Sequence, residues 1–150
     1  MWITVISSID RDIIRLLMAD SRMTQRDLGR AVGLSPNAAG ARVQRLVTNG
    51  VITGFGIRVD HAALGRALEA SIDVWLTDTH ERPAFEQLTR TDDRIVECFS
   101  LTGPLDFRVR ARLSSAEDLN DLLITMKTNG GVRQTDSRLV LEHLETVQDP

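Results

Sequence analysis

Tyrosine is absent from these 150 residues, and cysteine occurs once, as Cys98. A lone cysteine cannot close an internal disulfide, which suits a reducing cytosol. No stretch approaches the roughly 18 consecutive apolar residues that span a bilayer. The opening residues, Met1-Trp2-Ile3-Thr4-Val5-Ile6-Ser7, lack a basic region and a small-residue cleavage site, so no secretory leader is expected. Also missing are a phosphate-binding G-x-x-x-x-G-K-[ST], a dinucleotide-binding G-x-G-x-x-G, an H-E-x-x-H and any cysteine pair. His61, His80 and His143 are scattered, and read as surface or turn residues rather than metal ligands. Cys98 reads as a small buried apolar group on a strand rather than a nucleophile. Ser35-Pro36 reads as a helix cap rather than a catalytic serine. Neither repeats nor low-complexity segments occur. The expectation is a protein that is not an enzyme, with no catalytic residue, no metal and no resident cofactor.

What is present is unevenly spread. An apolar share of 42% supports a packed core, in one ordinary domain or two small ones. The net charge of −3 hides an asymmetry: residues 1–60 hold eight Arg against five Asp, and residues 61–150 hold ten Lys and Arg against sixteen Asp and Glu. A mildly basic front on an acidic back suits a nucleic-acid-binding head on a different kind of body.

The front half spells three helices. Ser7 and Asp10 have capping-box spacing, and Ile6, Ile9, Ile13, Ile14, Leu16 and Leu17 follow at helical intervals until Ala19-Asp20. Thr24 and Asp27 repeat the cap, Leu28, Ala31 and Val32 form a stripe, and Gly33 supplies the left-handed stop. Ser35 then caps a third helix with Pro36 at its first position. Ala39, Val43 and Leu46 face inward and Asn49-Gly50 ends the helix. Val51-Ile52, a turn at Thr53-Gly54 and Gly56 to Val59 are expected to form a hairpin wing.

Two short helices joined at a glycine place the second in a DNA major groove. The outer face of the third helix, with Asn37, Gly40, Ala41, Gln44 and Arg45, is either a solvated surface or a recognition surface. The thin residues Gly40 and Ala41 favour recognition, because an interior glycine costs about 1 kcal/mol relative to alanine and a merely solvated helix gains nothing from it. Arg45 suits guanine, Asn37 suits adenine, and Gln44 is a third base reader. Ser35 and the free N–H groups of the helix start suit a phosphate. Arg42 holds either a neighbouring helix or a phosphate. With Thr24, Gln25 and Pro36, these are the candidate DNA contacts.

The back half changes period. Ala70, Ile72, Val74 and Leu76 alternate with Glu69, Ser71, Asp73 and Trp75, the pattern of a half-buried strand. A short helix follows Pro83, with Phe85 and Leu88 inward. Strands are expected over Ile95 to Thr102 and Phe107 to Leu113. A helix capped by Ser115 carries Leu119, Leu122, Leu123 and Met126 on one face, and a last strand covers Val132 to His143. The order βαββαβ is that of a ferredoxin-like sandwich. The fold class is therefore α+β: a winged helix-turn-helix domain (1–59), a hinge (60–66) and a ferredoxin-like domain (67–150), with the residues ending in Asp149-Pro150 fraying.

The pattern resembles the Lrp/AsnC, or feast/famine, regulators. The resemblance is carried by Ile9-Asp10 with Ile13-Ile14, Asp20-Ser21-Arg22-Met23-Thr24, Val32-Gly33-Leu34-Ser35, Arg42-Val43-Gln44-Arg45-Leu46, Gly50-Val51-Ile52-Thr53-Gly54-Phe55 and Val59-Asp60 with Leu64-Gly65. Thr102-Gly103-Pro104-Leu105-Asp106 looks like the family's Thr-Gly-x-Tyr-Asp turn. Departures are Ser7 for Asp, Ala39 for Val, the small run Ala38 to Ala41, and Leu105 for the usual aromatic, with Pro104 stiffening the turn.

The resemblance implies a cytoplasmic, nucleoid-associated transcriptional regulator that binds double-stranded DNA. It implies a homodimer that assembles further to a tetramer or octamer, and modulation by an amino-acid effector. Effector-binding candidates are Thr102, Gly103, Pro104, Leu105 and Asp106, with Thr135, Asp136 and Ser137: backbone N–H groups and Thr102 for a carboxylate, Asp106 or Asp136 for an ammonium. Glu69, Asp73, Trp75, Arg108, Arg110 and Arg112 share one sheet face and are the candidate dimer interface, their charges pairing within and between chains. Two alternatives stand beside this reading: an architectural DNA-binding protein that needs no effector, and an enzyme resembling the siroheme decarboxylases, which share the layout.

Overall fold

Three serine and threonine hydroxyls set where the helices begin. In the computed structural model, which describes residues 6–143, Ser7, Thr24 and Ser35 each accept a hydrogen bond from the backbone N–H three residues on. They open α1 (Ser8–Ala19), α2 (Gln25–Val32) and α3 (Pro36–Thr48). Such caps each stabilise by about 1 kcal/mol. Gly33 ends α2 at φ 71°, in the left-handed region that a side chain would strain. Ile13, Leu17, Leu28, Ala39 and Leu46 form the core of this helical unit. Gly29 is buried where α2 meets the turn into α3, and a Cβ there would lie 2.6 Å from the Leu34 carbonyl oxygen. The residues expected at the two ends, the opening five and the fraying tail from 144 on, lie outside the described residues.

The expected wing does not form. Residues 51–59 carry no strand, and Thr53-Gly54 does not turn the chain back on itself. The segment lies beside the C-terminal end of α1, where Leu17, Met18, Ile52, Phe55 and Ile57 line an open groove of about 550 Å³. Phe55 and Ile57 are exposed. A strand needs a ladder partner, and two glycines (Gly54 and Gly56) weaken a hairpin built from this segment alone.

The sheet unit begins at Val59. It runs β1 (Leu68–Leu76), a 3₁₀ turn (Thr79–Glu81), α4 (Arg82–Thr91), β2 (Ile95–Ser100), β3 (Phe107–Leu113), α5 (Ala116–Asn129) and β4 (Val132–Leu139). All pairings are antiparallel in the spatial order β2-β3-β1-β4, the ferredoxin-like topology. Ala70, Ile72, Val74, Phe107, Val109 and Leu113 on the sheet pack with Phe85, Leu122 and Met126 on the helices. The phenyl rings of Phe85 and Phe107 lie 4.8 Å apart.

One face of β1 departs from expectation. A half-buried strand should expose its polar residues, yet Glu69 and Asp73 are only 4% exposed. Long arginine stems from neighbouring strands lie over these short acids and shut out water. Cys98 also departs: it is exposed on the edge strand β2 rather than buried. Partial desolvation still pushes its thiol pKa up, which disfavours the thiolate.

Candidate functional site

The outer face of α3 is assembled by the core beneath it. Ala39 and Leu46 are buried, which turns Asn37, Ala41, Gln44 and Arg45 to solvent. Ser35 and Pro36 are exposed at the start of the helix, beside Thr24 and Gln25 at the start of α2. The Arg45 guanidinium has no ion-pair partner among the described residues. Groups that read base edges need open hydrogen-bond donors and acceptors, and this face offers an arginine and two amides.

Two candidate contacts, Arg42 and Gly40, meet other groups of the protein. Arg42 is half-buried, and its Nη1 donates to Asp10 Oδ1 at 2.8 Å and to Ser7 Oγ at 3.3 Å. It therefore ties α3 to the start of α1. Burial works against ionisation of Asp10, but hydrogen bonds from Ser7 and Arg42, with the guanidinium's charge, outweigh it and hold the carboxyl below its ordinary value. Of the two roles left open for Arg42, the structure shows the neighbouring-helix one. Gly40 is partly buried, and a Cβ there would meet the Gln25 side-chain amide at 2.6–2.7 Å. That amide is the far end of a flexible side chain, which moves aside at little cost, so the contact does not by itself require a glycine. Nothing in the sequence marks that contact, because helices that meet through a turn leave no fixed spacing between such partners.

The second candidate region is the turn from Thr102 to Asp106. Thr102, Gly103 and Pro104 are exposed, and Gly103 sits at φ 114°. Trp75 Nε1 donates to the Pro104 carbonyl at 2.6 Å. The Asp106 carboxylate accepts from the Leu76 N–H at 2.8 Å, and the Asp106 N–H donates to the Val74 carbonyl. The turn is thus pinned to the end of β1 by Trp75 and Asp106, a linkage the sequence did not signal.

Thr135, Asp136 and Ser137 flank β1 from the other side. They stand opposite Val74, Asp73 and Ile72, with β1 between them and the turn. Two strand spacings, about 10 Å, therefore separate the two sets. Pleating sends Asp136 to one face and Thr135 and Ser137 to the other. Asp136 pairs with Arg138. Within one chain, then, both acids expected to take an ammonium already have donors, and the candidate effector residues form two groups rather than one cluster.

The acidic-arginine face does come together. Arg108 holds Asp73 through Nε at 2.6 Å and Nη2 at 3.2 Å, and Arg138 adds a bond at 3.1 Å. Hydrogen bonding from Arg108, the largest influence, keeps the Asp73 carboxyl below its ordinary range. Arg112 and His143 meet Glu69 at 2.5 and 2.7 Å, while Arg110 pairs with Glu97 at 2.8 Å. The charges expected to pair within and between chains are matched within the chain. Arg138 and His143 join this network from β4 and the segment after it, which the alternation of β1 and β3 could not disclose.

Comparison with known proteins places both units. Residues 6–53 match the model of a winged helix-turn-helix DNA-binding domain, and residues 69–148 match the Lrp/AsnC ligand-binding domain. The chain is 32% identical to the HTH-type transcriptional regulator AldR of Mycobacterium tuberculosis, over 93% of this chain and 79% of that protein. It is also 32% identical to LrpA of the same organism, over 91% and 90%. A Neisseria meningitidis transcriptional regulator solved as an L-Met complex shares the fold, with a TM-score of 0.89 at 23% identity over 96% and 95% of the two chains. The chain belongs to the Lrp/AsnC family of DNA-binding transcriptional regulators.

Proposed function

We propose that the exposed face of α3 reads a DNA operator through Arg45, Asn37 and Gln44. Ser35, Thr24 and Gln25 take phosphates, and Arg42 acts only by fixing the helix. One observation carries this reading: two arginines three residues apart on α3 have opposite fates, Arg42 bound internally and Arg45 free to solvent. The test is fluorescence-anisotropy titration of fragments recovered from genomic DNA by the full-length protein. Arg45→Ala should weaken binding and relax base preference at one position of each half-site. Equal binding by Arg45→Ala and the wild type would reject the assignment.

A single recognition helix reads few bases, so binding by a homodimer or larger assembly follows, with half-sites about one helical turn or a multiple apart. Two surfaces support self-association: the Trp75–Arg108–Arg110 sheet face, and the exposed Phe55 and Ile57 beside the groove on the helical unit. Residues 60–66 would serve as the hinge between a DNA-binding domain over 1–59 and a sensing domain over 67–150. No described helix is long and apolar enough to cross a membrane.

The same proposal extends to an amino-acid effector at the 102–106 turn. It is supported by the ligand-binding family model and by the L-Met bound to the meningococcal fold neighbour. Its effect on DNA affinity must be matched by an equal effect of DNA on effector affinity. A second reading, an architectural protein that needs no effector, is favoured by the internal pairing of Asp106 and Asp136. Calorimetry with L-methionine and the other protein amino acids separates them: heat for one amino acid supports the sensor, and heat for none supports the architectural protein.

A further inference from the structure

Three arginines stand on or beside α2, the helix that precedes the base-reading one. Arg22 lies in the turn before it, and Arg26 and Arg30 lie within it; all three are exposed. Arg26 and Arg30 are four residues apart, so they share a face at about 6 Å along the axis. At 100° per residue that face is turned away from Leu28, which is buried in the core. Among the described residues the three guanidinium groups make neither ion pairs nor hydrogen bonds. The acids beside them are engaged elsewhere: the Asp27 carboxylate takes the Thr24 hydroxyl at 2.6 Å, and the Asp20 carboxylate takes the backbone N–H of Arg22 at 2.9 Å.

Like charges one helical turn apart destabilise a helix slightly, and among the described residues no acid pairs directly with them. A polyanion would. In a docked helix-turn-helix the first helix of the motif crosses the DNA backbone while the second enters the groove. We propose that Arg22, Arg26 and Arg30 form a track for the phosphodiester backbone of a DNA strand flanking the bases read by α3. The track adds affinity without sequence preference. It rests on the reading of α3 as the base-reading helix, and it assigns a separate term of the binding energy to a separate surface.

The experiment uses the full-length protein and two duplexes: a genomic fragment recovered by the wild type, and a shuffled sequence of the same length. Affinity is measured between about 50 and 200 mM salt, where each neutralised phosphate contributes about 0.9 to the slope of log K against log salt. Per DNA-bound protomer, Arg22→Gln, Arg26→Gln and Arg30→Gln should each lower the slope by about 0.9 and the triple variant by about 2.7, so a homodimer on two half-sites should show about twice those changes. The ratio of affinities for the two duplexes should stay constant, and the thermal midpoint should hold or rise slightly. A triple variant with the wild-type slope overturns the track. So does a loss confined to the genomic fragment, which would make these residues base readers. If Arg45→Ala leaves binding and preference intact while the triple variant lowers the slope, the track stands and the base-reading assignment of α3 falls. Wild-type protein that binds neither duplex overturns both.

Discussion

The two units treat their arginines in opposite ways. In the helical unit only Arg15 and Arg42 pair with acids among the described residues, leaving Arg11, Arg22, Arg26, Arg30, Arg45 and Arg58 without ion-pair partners. In the sheet unit Arg66, Arg82, Arg90, Arg94, Arg108, Arg110, Arg112 and Arg138 all pair, and Arg133 donates to the Leu76 carbonyl. A guanidinium matched by a carboxylate projects little field and holds structure; an unmatched one attracts anions. The modest net charge of the front half therefore understates its pull on a polyanion, and the arginine-rich β3 projects less positive field than its composition suggests.

Removing one cation from each side sharpens the contrast. Arg94 is largely buried and bridges Asp92 at 2.6 Å, Asp121 at 2.8 Å and Asp118 at 3.1 Å, joining the start of β2 to α5. Arg94→Ala leaves two part-buried carboxylates, Asp92 and Asp118, without it, and should cost the sheet unit about 3 kcal/mol or more. That is a fall of at least about 12 °C in its thermal midpoint by calorimetry; an unmoved midpoint would mean the pairs hold nothing. Arg45→Ala should do the reverse. We expect an unchanged midpoint with about 10- to 100-fold weaker operator binding, the loss of one bidentate base contact.

Arg42 crosses the divide, being an arginine of the helical unit that behaves like those of the sheet. Arg42→Ala should cost about 1–3 kcal/mol of stability by stranding Asp10, seen as a lower urea midpoint. Its salt slope for DNA should stay at the wild-type value, and Arg42→Lys should recover part of the loss. A slope lowered by about 0.9 per DNA-bound protomer would return Arg42 to the phosphate contacts.

What could be read beforehand follows from the range of each interaction. Caps at Ser7, Thr24 and Ser35, the stop at Gly33 and the alternation of β1 and β3 are local, and each was legible from a few residues. Strand order was legible too, because βαββαβ admits few arrangements. The rest depends on partners distant in sequence: Gln25 over Gly40, Arg42 on Asp10, Trp75 on Pro104, and Arg138 and His143 on the acids of β1. Local pattern names the face on which a residue lies but not what comes to cover it, which is why Glu69 and Asp73 read as exposed and are buried. The wing differs from expectation for the same reason, since turn residues at Thr53-Gly54 beside Val51-Ile52 suggest a hairpin without supplying the ladder that holds one.

Acid should part the two units as well. Asp73, Asp92 and Asp118 in the sheet unit all have their pKa values held below the ordinary 3.8, through hydrogen bonds from Arg108, Arg94 and the Ser114 N–H respectively, whereas Asp10 is the one such group resolved in the helical unit. A carboxyl with a depressed folded-state pKa contributes stability in full above its unfolded value and loses it as pH falls through the folded value. These carboxyls therefore add no pH dependence near neutrality. Below about pH 4 the sheet unit should weaken more steeply, because four groups, the exposed Glu117 included, take up protons there against one. In a Trp2→Phe background, which leaves Trp75 as the one tryptophan, far-ultraviolet dichroism followed together with Trp75 fluorescence reports the whole chain and the sheet unit in one titration. Asp73→Asn should flatten the acid limb seen by Trp75, which lies two residues along the same strand. Equal acid sensitivity in wild type and Asp73→Asn would mean that Arg108 and Arg138 find as good a partner in an amide, and that the matched charges of this face serve shape rather than stability.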